Sequence, residues 1–140
     1  MENLKLPSSL TEIGTSAFAN CENLKIIDTS KNTNFLYENG SLLKSDRSEI
    51  IFVSKSSVGS TFIIPDGMKK FTTNILLYDN IKKLVIPSEL EELSISALPS
   101  SIEEIEIKPG NENIFLGDKI IYNKDNKLML CFDKNENVVL

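Results

Sequence analysis

The chain has 140 residues, of which 41% are hydrophobic and 25% are charged, and its formal net charge is −5. These values are typical of one globular domain, and a dispersed negative charge argues against nucleic-acid binding, which needs a clustered basic surface. No apolar stretch approaches the roughly 18 residues of a membrane span, so direct membrane insertion is not expected. The chain contains no histidine, which excludes Ser-His-Asp and Cys-His catalysis and histidine-based zinc sites.

An internal repeat begins near the N-terminus. Residues 6–18 (LPSSLTEIGTSAF) recur as residues 86–98 (IPSELEELSISAL), and a degenerate third copy begins at Ile64-Pro65. Periods of this length indicate a solenoid, in which each repeat covers the apolar edge of its neighbour. The chain is therefore expected to contain three short repeats and two longer inserts. The repeats are placed at about residues 6–29, 64–85 and 86–107, and the inserts at about residues 30–63 and 108–140.

The correspondence continues beyond the first thirteen residues of the repeat. Asn32-x-Asn34-Phe35 in the first copy matches Asn111-x-Asn113-Ile114 in the last copy, with slips of one or two residues. Such slips are tolerated where loops lie at the surface.

Each short repeat carries an L-x-x-L-x-L strand pattern, most plainly at residues 81–86 and 102–107. Alternation along a strand places Leu84 and Ile86 on a buried face and Val85 on the opposite face. The proline after each strand removes a backbone donor and ends the pairing. A second apolar pair follows each proline and is expected to line the other wall of the coil, in extended or short helical form. These pairs are Leu10/Ile13, Met68/Phe71 and Leu90/Leu93.

Both inserts have the pattern of β-hairpins. In the first insert, polar residues 44–49 separate the apolar run that ends at Leu43 from residues 50–53. In the second insert, residues 123–127 separate residues 120–122 from the apolar run that starts at Leu128. Polar turn residues between two apolar runs predict a hairpin.

Two segments carry a resemblance to a known family. Residues 6–27 read L-P-S-S-L-T-E-I-G-x-x-A-F-x-x-C-x-x-L-K-x-I, and residues 34–51 read N-F-x-x-x-x-G-S-L-L-x-S-D-x-x-x-I-I. The first resembles the pattern IPssVtsIGxxAFxxCxsLxxI of the BspA-type leucine-rich repeats, and the second resembles the hairpin pattern xFxxxDGvLyskDgktLiy of the same arrays. The resemblance implies a mainly β repeat solenoid over residues 1–140. It would be a right-handed coil of short strands, loops or short helical turns, with β-hairpin inserts.

The resemblance also implies a function. Members of this family are surface-exposed or secreted adhesin-like proteins that bind a ligand, without a cofactor and without enzyme activity. The expected partner is an extracellular protein or glycan. Residues 1–7 lack the apolar centre of a signal peptide, so the chain either stays inside the cell or lacks its targeting segment. Both ends resemble the interior of an array, which predicts a fragment of a longer solenoid or self-association through uncapped ends.

The outward residues of the strands form the candidate binding face. In a leucine-rich repeat the concave sheet is the usual binding surface, although the same residues could simply be solvated strand faces. Charged and apolar side chains are mixed along this face, so the sequence names no ligand type. The candidate residues are Lys5, Ile26, Asp28, Thr61, Ile63, Lys83, Val85, Glu104 and Glu106, with Asn3 beside them.

Two acidic features could suggest cation binding. The first is a group of glutamates that alternation divides between opposite faces, so a solvated acidic surface is expected; it comprises Glu89, Glu91, Glu92, Glu103, Glu104 and Glu106. The second is Asp133-x-Asn135-x-Asn137, which has the spacing that opens a calcium loop. Val138 stands where that loop needs glycine, so no metal site is expected.

Two further motifs have simple structural explanations. Asn39-Gly40-Ser41 is an N-glycosylation sequon, but Asn-Gly is also the preferred pair for a tight hairpin turn. Cys21 and Cys131 have no metal-ligand spacing, and we expect two small buried thiols and not a disulfide.

The leading functional hypothesis is a non-catalytic module that presents a curved sheet to a protein or glycan. The alternative is a structural spacer that has no ligand of its own. An enzyme is not expected, because the sequence offers no constellation of acid, base and nucleophile.

Overall fold

The computed structural model describes residues 2–14, 16–72, 80–94, 98–117, 120–125 and 127–131. The described chain is built almost entirely from short strands, with one helix of a single turn. In chain order the elements are β1 (Asn3–Lys5), β2 (Ile26–Asp28), β3 (Phe35–Glu38), β4 (Ser41–Lys44), β5 (Ile50–Val53), α1 (Lys55–Val58), β6 (Thr61–Ile63), β7 (Lys70–Phe71), β8 (Lys83–Ile86), β9 (Glu92–Leu93), β10 (Glu104–Ile107), β11 (Ile114–Leu116), β12 (Ile120–Asn123) and β13 (Leu128–Cys131). Within these residues, no helix has the length and apolarity that a bilayer crossing requires.

Strands of successive repeats pair in parallel, which confirms the predicted repeat solenoid. The solenoid has about four turns. β6, β8 and β10 form a three-stranded sheet, β1 pairs with β2, and β7 pairs with β9. The β8 and β10 strands occupy the last four positions of the predicted L-x-x-L-x-L segments. In the second and third repeats, the apolar pair that follows the proline ends in extended backbone. Phe71 lies on β7, Leu93 lies on β9, and these two strands pair.

Each repeat turns after its proline in the same way. The N–H of the third residue after the proline donates to the proline carbonyl, as in Leu10 to Pro7, Met68 to Pro65 and Leu90 to Pro87, at 3.2, 3.4 and 3.3 Å. Proline suits this position because its fixed φ favours a turn and it has no N–H to leave unpaired. These bends send the chain from one wall of the coil to the other.

The repeats also share a contact at the start of each strand. One backbone carbonyl accepts from two consecutive N–H groups of the next turn: Glu2 from Lys25 and Ile26, Ser60 from Lys82 and Lys83, and Lys82 from Glu103 and Glu104. This recurrence fixes the register of one repeat on the next, so outward residues of neighbouring strands fall into rows.

Each insert is a three-stranded antiparallel sheet. The predicted hairpins are confirmed as β4–β5 and β12–β13, and a third strand, β3 or β11, precedes each of them. In the first insert β3 joins β4 through Asn39 and Gly40, whose φ angles are 51° and 79°. Positive φ at both central residues defines the type I′ turn that favours Asn-Gly.

The first insert divides the core in two. Leu43, Ile50 and Val53 pack in the larger cluster with the β6 and β8 residues Phe62 and Leu84. Leu42 and Phe35 pack in the smaller cluster with the N-terminal residues Leu6, Leu24 and Ile27. This sheet therefore buries side chains on both faces and acts as a wall between the first repeat and the later ones.

The strand column is not one continuous sheet, because β2 and β6 belong to separate sheets. Where β2 begins, hydroxyl groups of the first insert take the place of a neighbouring strand. Tyr37 and Ser57 both donate to the Lys25 carbonyl, at 2.5 and 2.6 Å, and Ser54 donates to the Leu24 carbonyl. The candidate face predicted from the sequence is thus split into an N-terminal patch and a larger patch on β6, β8 and β10.

Candidate binding face

The larger patch consists of two rows that cross three strands. Thr61, Lys83 and Glu104 are register partners, and so are Ile63, Val85 and Glu106. The side chains between them point inward: Phe62 and Leu84 are fully buried, and Ile105 is 5% exposed. The predicted division into an inward and an outward face is therefore confirmed for these strands.

One prediction about the outward face is wrong. Val85 was expected to be exposed, but only 6% of its surface is accessible. It stands on the central strand, between Ile63 and Glu106 across the sheet and between Lys83 and Pro87 along the strand. Neighbours on all four sides screen a short side chain from solvent. Of the two apolar residues in this row, Ile63 is the more accessible, since it is only half-buried.

Lys83 is held by two carboxylates of the next turn. Its Nζ lies 3.3 Å from Glu104 Oε1 and 3.6 Å from Glu106 Oε2. The hydrogen bond with Glu104 and the nearby charge of Glu106 raise the pKa of Lys83 above its usual value. Two carboxylates around one ammonium leave this part of the face with a surplus negative charge.

The N-terminal patch lies on β1 and β2, where Asn3 pairs with Ile26 and Lys5 with Asp28. Ile26 is 56% exposed, which is unusual for a large apolar side chain. Asp28 accepts from the backbone N–H of Ser30 at 2.9 Å, and hydrogen bonding from Ser30 lowers the pKa of Asp28. The patch therefore offers one accessible aliphatic residue beside a fixed carboxylate.

A polar rim that the sequence did not predict borders the larger patch. Lys108 Nζ donates to Asp66 Oδ1 at 2.8 Å and so reaches a turn two repeats earlier. That hydrogen bond raises the pKa of Lys108. Arg47 of the first insert donates to the Glu38 carboxylate and to the Asp66 carbonyl. These residues are far apart in sequence, so no local pattern could have identified the rim.

Five of the six glutamates in the acidic group are paired with lysines. Lys69 and Lys70 lie 3.2 Å from Glu91 and Glu92 of the next turn, and Lys82 lies 3.8 Å from Glu103. Glu104 and Glu106 share Lys83, as described above. These five glutamates therefore form a ladder of ion pairs between turns, whereas Glu89 is held by hydrogen bonds from the backbone and from Ser88. The signal in the sequence was the Lys-Lys pair that precedes each Glu-Glu pair by one repeat.

Of the two cysteines and the calcium-like motif, only Cys21 lies wholly within the residues that the structure describes. In the part of the chain that the structure describes, no group of three potential metal ligands comes together. Cys21 is a free, half-buried thiol that packs against the smaller core cluster. The calcium-like motif at residues 133–137 lies outside the described residues, and so does the side chain of Cys131.

The geometry agrees with the comparison to family models. The model of the BspA type leucine rich repeat region matches residues 1–127 in six copies. No curated protein and no solved structure matches the chain. The matched family comprises repeat modules of protein interaction, typically non-catalytic, and it is associated with surface or secreted proteins. The chain belongs to the BspA-type leucine-rich repeat family.

Proposed function

We propose that this chain is a non-catalytic binding module of a cell-surface or secreted adhesin-like protein, and that it binds a protein partner through the face of β6, β8 and β10. The observation that carries this proposal is the register of the rows Thr61–Lys83–Glu104 and Ile63–Val85–Glu106. The register places the aliphatic pair Ile63 and Val85 beside the charged residues Lys83, Glu104 and Glu106 on one sheet.

This arrangement supports a protein partner over a glycan. Specific protein interfaces combine an apolar centre with a polar rim that makes hydrogen bonds. Ile63, backed by the buried Val85, supplies the apolar centre, while Lys83, Glu104 and Glu106 supply charges beside it. Because these charges lie on strands held in register, a partner meets a preorganised surface, which lowers the entropy lost on binding.

The size of the face sets a requirement on the complex. With strands about 4.8 Å apart and about 3.3 Å per residue, the eleven residues of these three strands cover roughly 170 Å². A stable protein interface buries about 800 Å² on each partner. The sheet face must therefore act together with its surroundings, and the rim at Asp66 and Lys108, which borders it, is the candidate to extend it.

A structural spacer is the second candidate function. It is favoured by the internal pairing of the face: Lys83 is engaged by Glu104 and Glu106, and Val85 is buried. A face whose lysine is already paired and whose central valine is buried has less to offer a partner. In that case the ion-pair ladder serves only to hold successive turns in register.

The test is binding of the purified chain to an array of extracellular-matrix proteins and glycans. The face variant combines Ile63→Thr, Glu104→Gln and Glu106→Gln, which remove an apolar contact and two charges. Glutamine keeps the size of glutamate, and threonine keeps the β-branch of isoleucine. The matched control combines Lys70→Gln on β7 with Glu92→Gln on β9 and Glu91→Gln directly before it, on the opposite wall. Circular dichroism and thermal unfolding establish that both variants keep the fold.

The proposal predicts saturable binding of the wild-type chain to a protein of the array. The affinity should fall by at least about tenfold in the face variant, since one hot-spot side chain contributes about 2 kcal/mol. The control variant should keep the wild-type affinity. Equal losses in both variants would contradict the assignment to this face. Absence of binding by the folded chain to every array member would favour the spacer.

A further inference from the structure

We propose that Asn39 is an N-glycosylation acceptor and that Ser41 is kept for that reaction and not for the fold. The inference rests on the proposed function in one respect, because it requires the chain to enter a secretory compartment. The ligand class is an oligosaccharide carried on a lipid diphosphate. The motif is the sequon Asn39-Gly40-Ser41, which the binding face does not use.

The position of Asn39 suits a large modification. It is the first central residue of the β3–β4 turn and is exposed. Gly40 is buried against α1: a Cβ at Gly40 would lie 2.9 Å from Val58 and 3.2 Å from Ser57. The contact of Gly40 with α1 thus holds the turn in place while Asn39 is exposed. A sugar on the Asn39 side chain therefore needs no rearrangement of the fold.

Ser41 is the observation that separates a modification site from ordinary turn chemistry. The residue has no exposed surface, and within the described residues its hydroxyl has no hydrogen-bond partner. A buried hydroxyl without a partner loses its hydration and gains nothing in return. An apolar residue at this strand position would serve the fold better, and the turn itself needs only Asn39 and Gly40.

Ser54 shows what a buried serine does when the fold uses it. It is as deeply buried as Ser41, but its hydroxyl donates to the Leu24 carbonyl, across 30 positions of sequence. The two serines lie close in the structure, because the Ser54 N–H donates to the Gly40 carbonyl at 2.8 Å. The chain therefore provides its own matched control for a structural hydroxyl.

The reaction balances without any redox partner. The Asn39 carboxamide nitrogen forms a bond to C1 of the first sugar and gives up one proton, while the bond between C1 and the diphosphate oxygen breaks and the lipid diphosphate leaves. The transferase recognises the sequon through the serine hydroxyl as well as the asparagine. Because folding buries Ser41, the transfer must precede the pairing of β4 with β3 and β5.

The experiment uses the full chain with a cleavable secretory leader, expressed in a eukaryotic host, and measures its intact mass before and after an amidase that removes N-linked sugar. The variants are Asn39→Asp, which keeps a good turn residue, Ser41→Ala, and Ser41→Thr, which keeps the sequon. The unfolding equilibria of Ser41→Ala and Ser54→Ala are measured on unmodified protein made without the leader.

We expect the wild type and Ser41→Thr to carry sugar and the other two secreted variants to lack it. The unfolding constant of Ser41→Ala should be equal to or below that of the wild type, and that of Ser54→Ala should be higher by about tenfold. An unmodified secreted wild type overturns the proposal, and so does a Ser41→Ala variant that is destabilised as strongly as Ser54→Ala. The mass readout does not depend on any binding partner, so this result stands apart from the array experiment.

Discussion

Asn32 and Asn111 occupy equivalent positions in two repeats and make the same hydrogen bonds. Each carboxamide donates to two carbonyls of the preceding proline turn: Asn32 to Pro7 and Leu10 at 2.8 and 2.9 Å, and Asn111 to Pro87 and Leu90 at 2.9 and 3.1 Å. Each side-chain oxygen then accepts the N–H of the second residue that follows it. The same clamp thus joins a proline turn to the insert sheet that begins beyond it.

Removal of the first clamp should be costly. Asn32 is only 6% exposed. Asn32→Ala removes three hydrogen bonds: the Pro7 and Leu10 carbonyls keep the bonds from the Leu10 N–H and from Asn34 Nδ2, while the Asn34 N–H loses its acceptor. At about 1 kcal/mol for each bond, we expect a loss of about 2–3 kcal/mol in the free energy of unfolding. Urea denaturation measures it. Asn34→Ala is the control, because Asn34 is exposed and its side chain makes one bond, to Leu10; about 0.5 kcal/mol is expected there. Equal losses in the two variants would contradict the clamp.

The division of the β6–β8 sheet into two faces predicts a contrast between Leu84 and Ile63. Leu84 is fully buried in the larger core cluster, so Leu84→Ala should lower the free energy of unfolding by about 2–5 kcal/mol. Ile63 is half-buried on the outward face, and Ile63→Ala should cost less than half as much. Guanidinium denaturation compares them, and a larger loss for Ile63→Ala would show that the inward and outward faces are misassigned.

The two glycines Gly40 and Gly14 should respond in opposite directions to alanine. Gly40 has φ 79° and a Cβ there would approach Val58 at 2.9 Å, so Gly40→Ala should destabilise the chain by more than about 1 kcal/mol. At Gly14 nothing lies within 4 Å of an added Cβ. Gly14→Ala should therefore be neutral or stabilising by up to about 1 kcal/mol. Thermal unfolding distinguishes them, and a stable Gly40→Ala variant would argue against the tight turn and its contact with α1.

Stability should change with pH at the two extremes. The hydrogen bond with Glu104 raises the pKa of Lys83. The contribution of Lys83 to the free energy of unfolding is therefore complete below the ordinary lysine pKa of about 10.4, and it is lost as pH rises through the higher folded value. Hydrogen bonds from Ser30 and Ser48 lower the pKa values of Asp28 and Asp46. Their contribution is complete above about pH 3.9 and is lost as pH falls through the lower folded values.

The measurement is the thermal midpoint between pH 2 and 12, in wild type and in Lys83→Met. The alkaline decline should be shallower in Lys83→Met, while the acid limb should be unchanged because Asp28 and Asp46 are retained. Identical alkaline limbs in the two proteins would show that Lys83 does not gain its partners on folding.

The repeat, the strands and the inward faces could be predicted because they follow from local periodicity. Leu84 and Ile86 alternate with Val85, and the prolines mark the strand ends, so the pattern alone places them. The burial of Val85 could not be predicted, because it depends on neighbours from three strands. The split between β2 and β6 also depends on distant contacts, since Tyr37 and Ser57 reach Lys25 only after the first insert has folded.

The strand positions of Lys83, Glu104 and Glu106 could be predicted, but the ion pairs between them could not. Lys83, Glu104 and Glu106 were all expected on the face, yet alternation along one strand does not reveal that Lys83 joins both glutamates of the next. The rim is a stronger case: Asp66 and Lys108 meet across two turns, and neither residue has a distinctive sequence context. Which residues of neighbouring repeats stand side by side depends on the register of their strands, and that register is set only in the folded coil.

Cross-saturation between a bound partner and the methyl groups of this chain tests the central claim most directly. The partner is the first matrix protein that binds in the array, used unlabelled, and the chain carries protonated methyl groups on isoleucine and valine in a deuterated background. Binding through the β6–β8–β10 face predicts strong saturation transfer to the Ile63 methyls, with none to the fully buried Ile81 and Ile86. Transfer confined to methyls away from this face, with Ile63 unaffected, would contradict it.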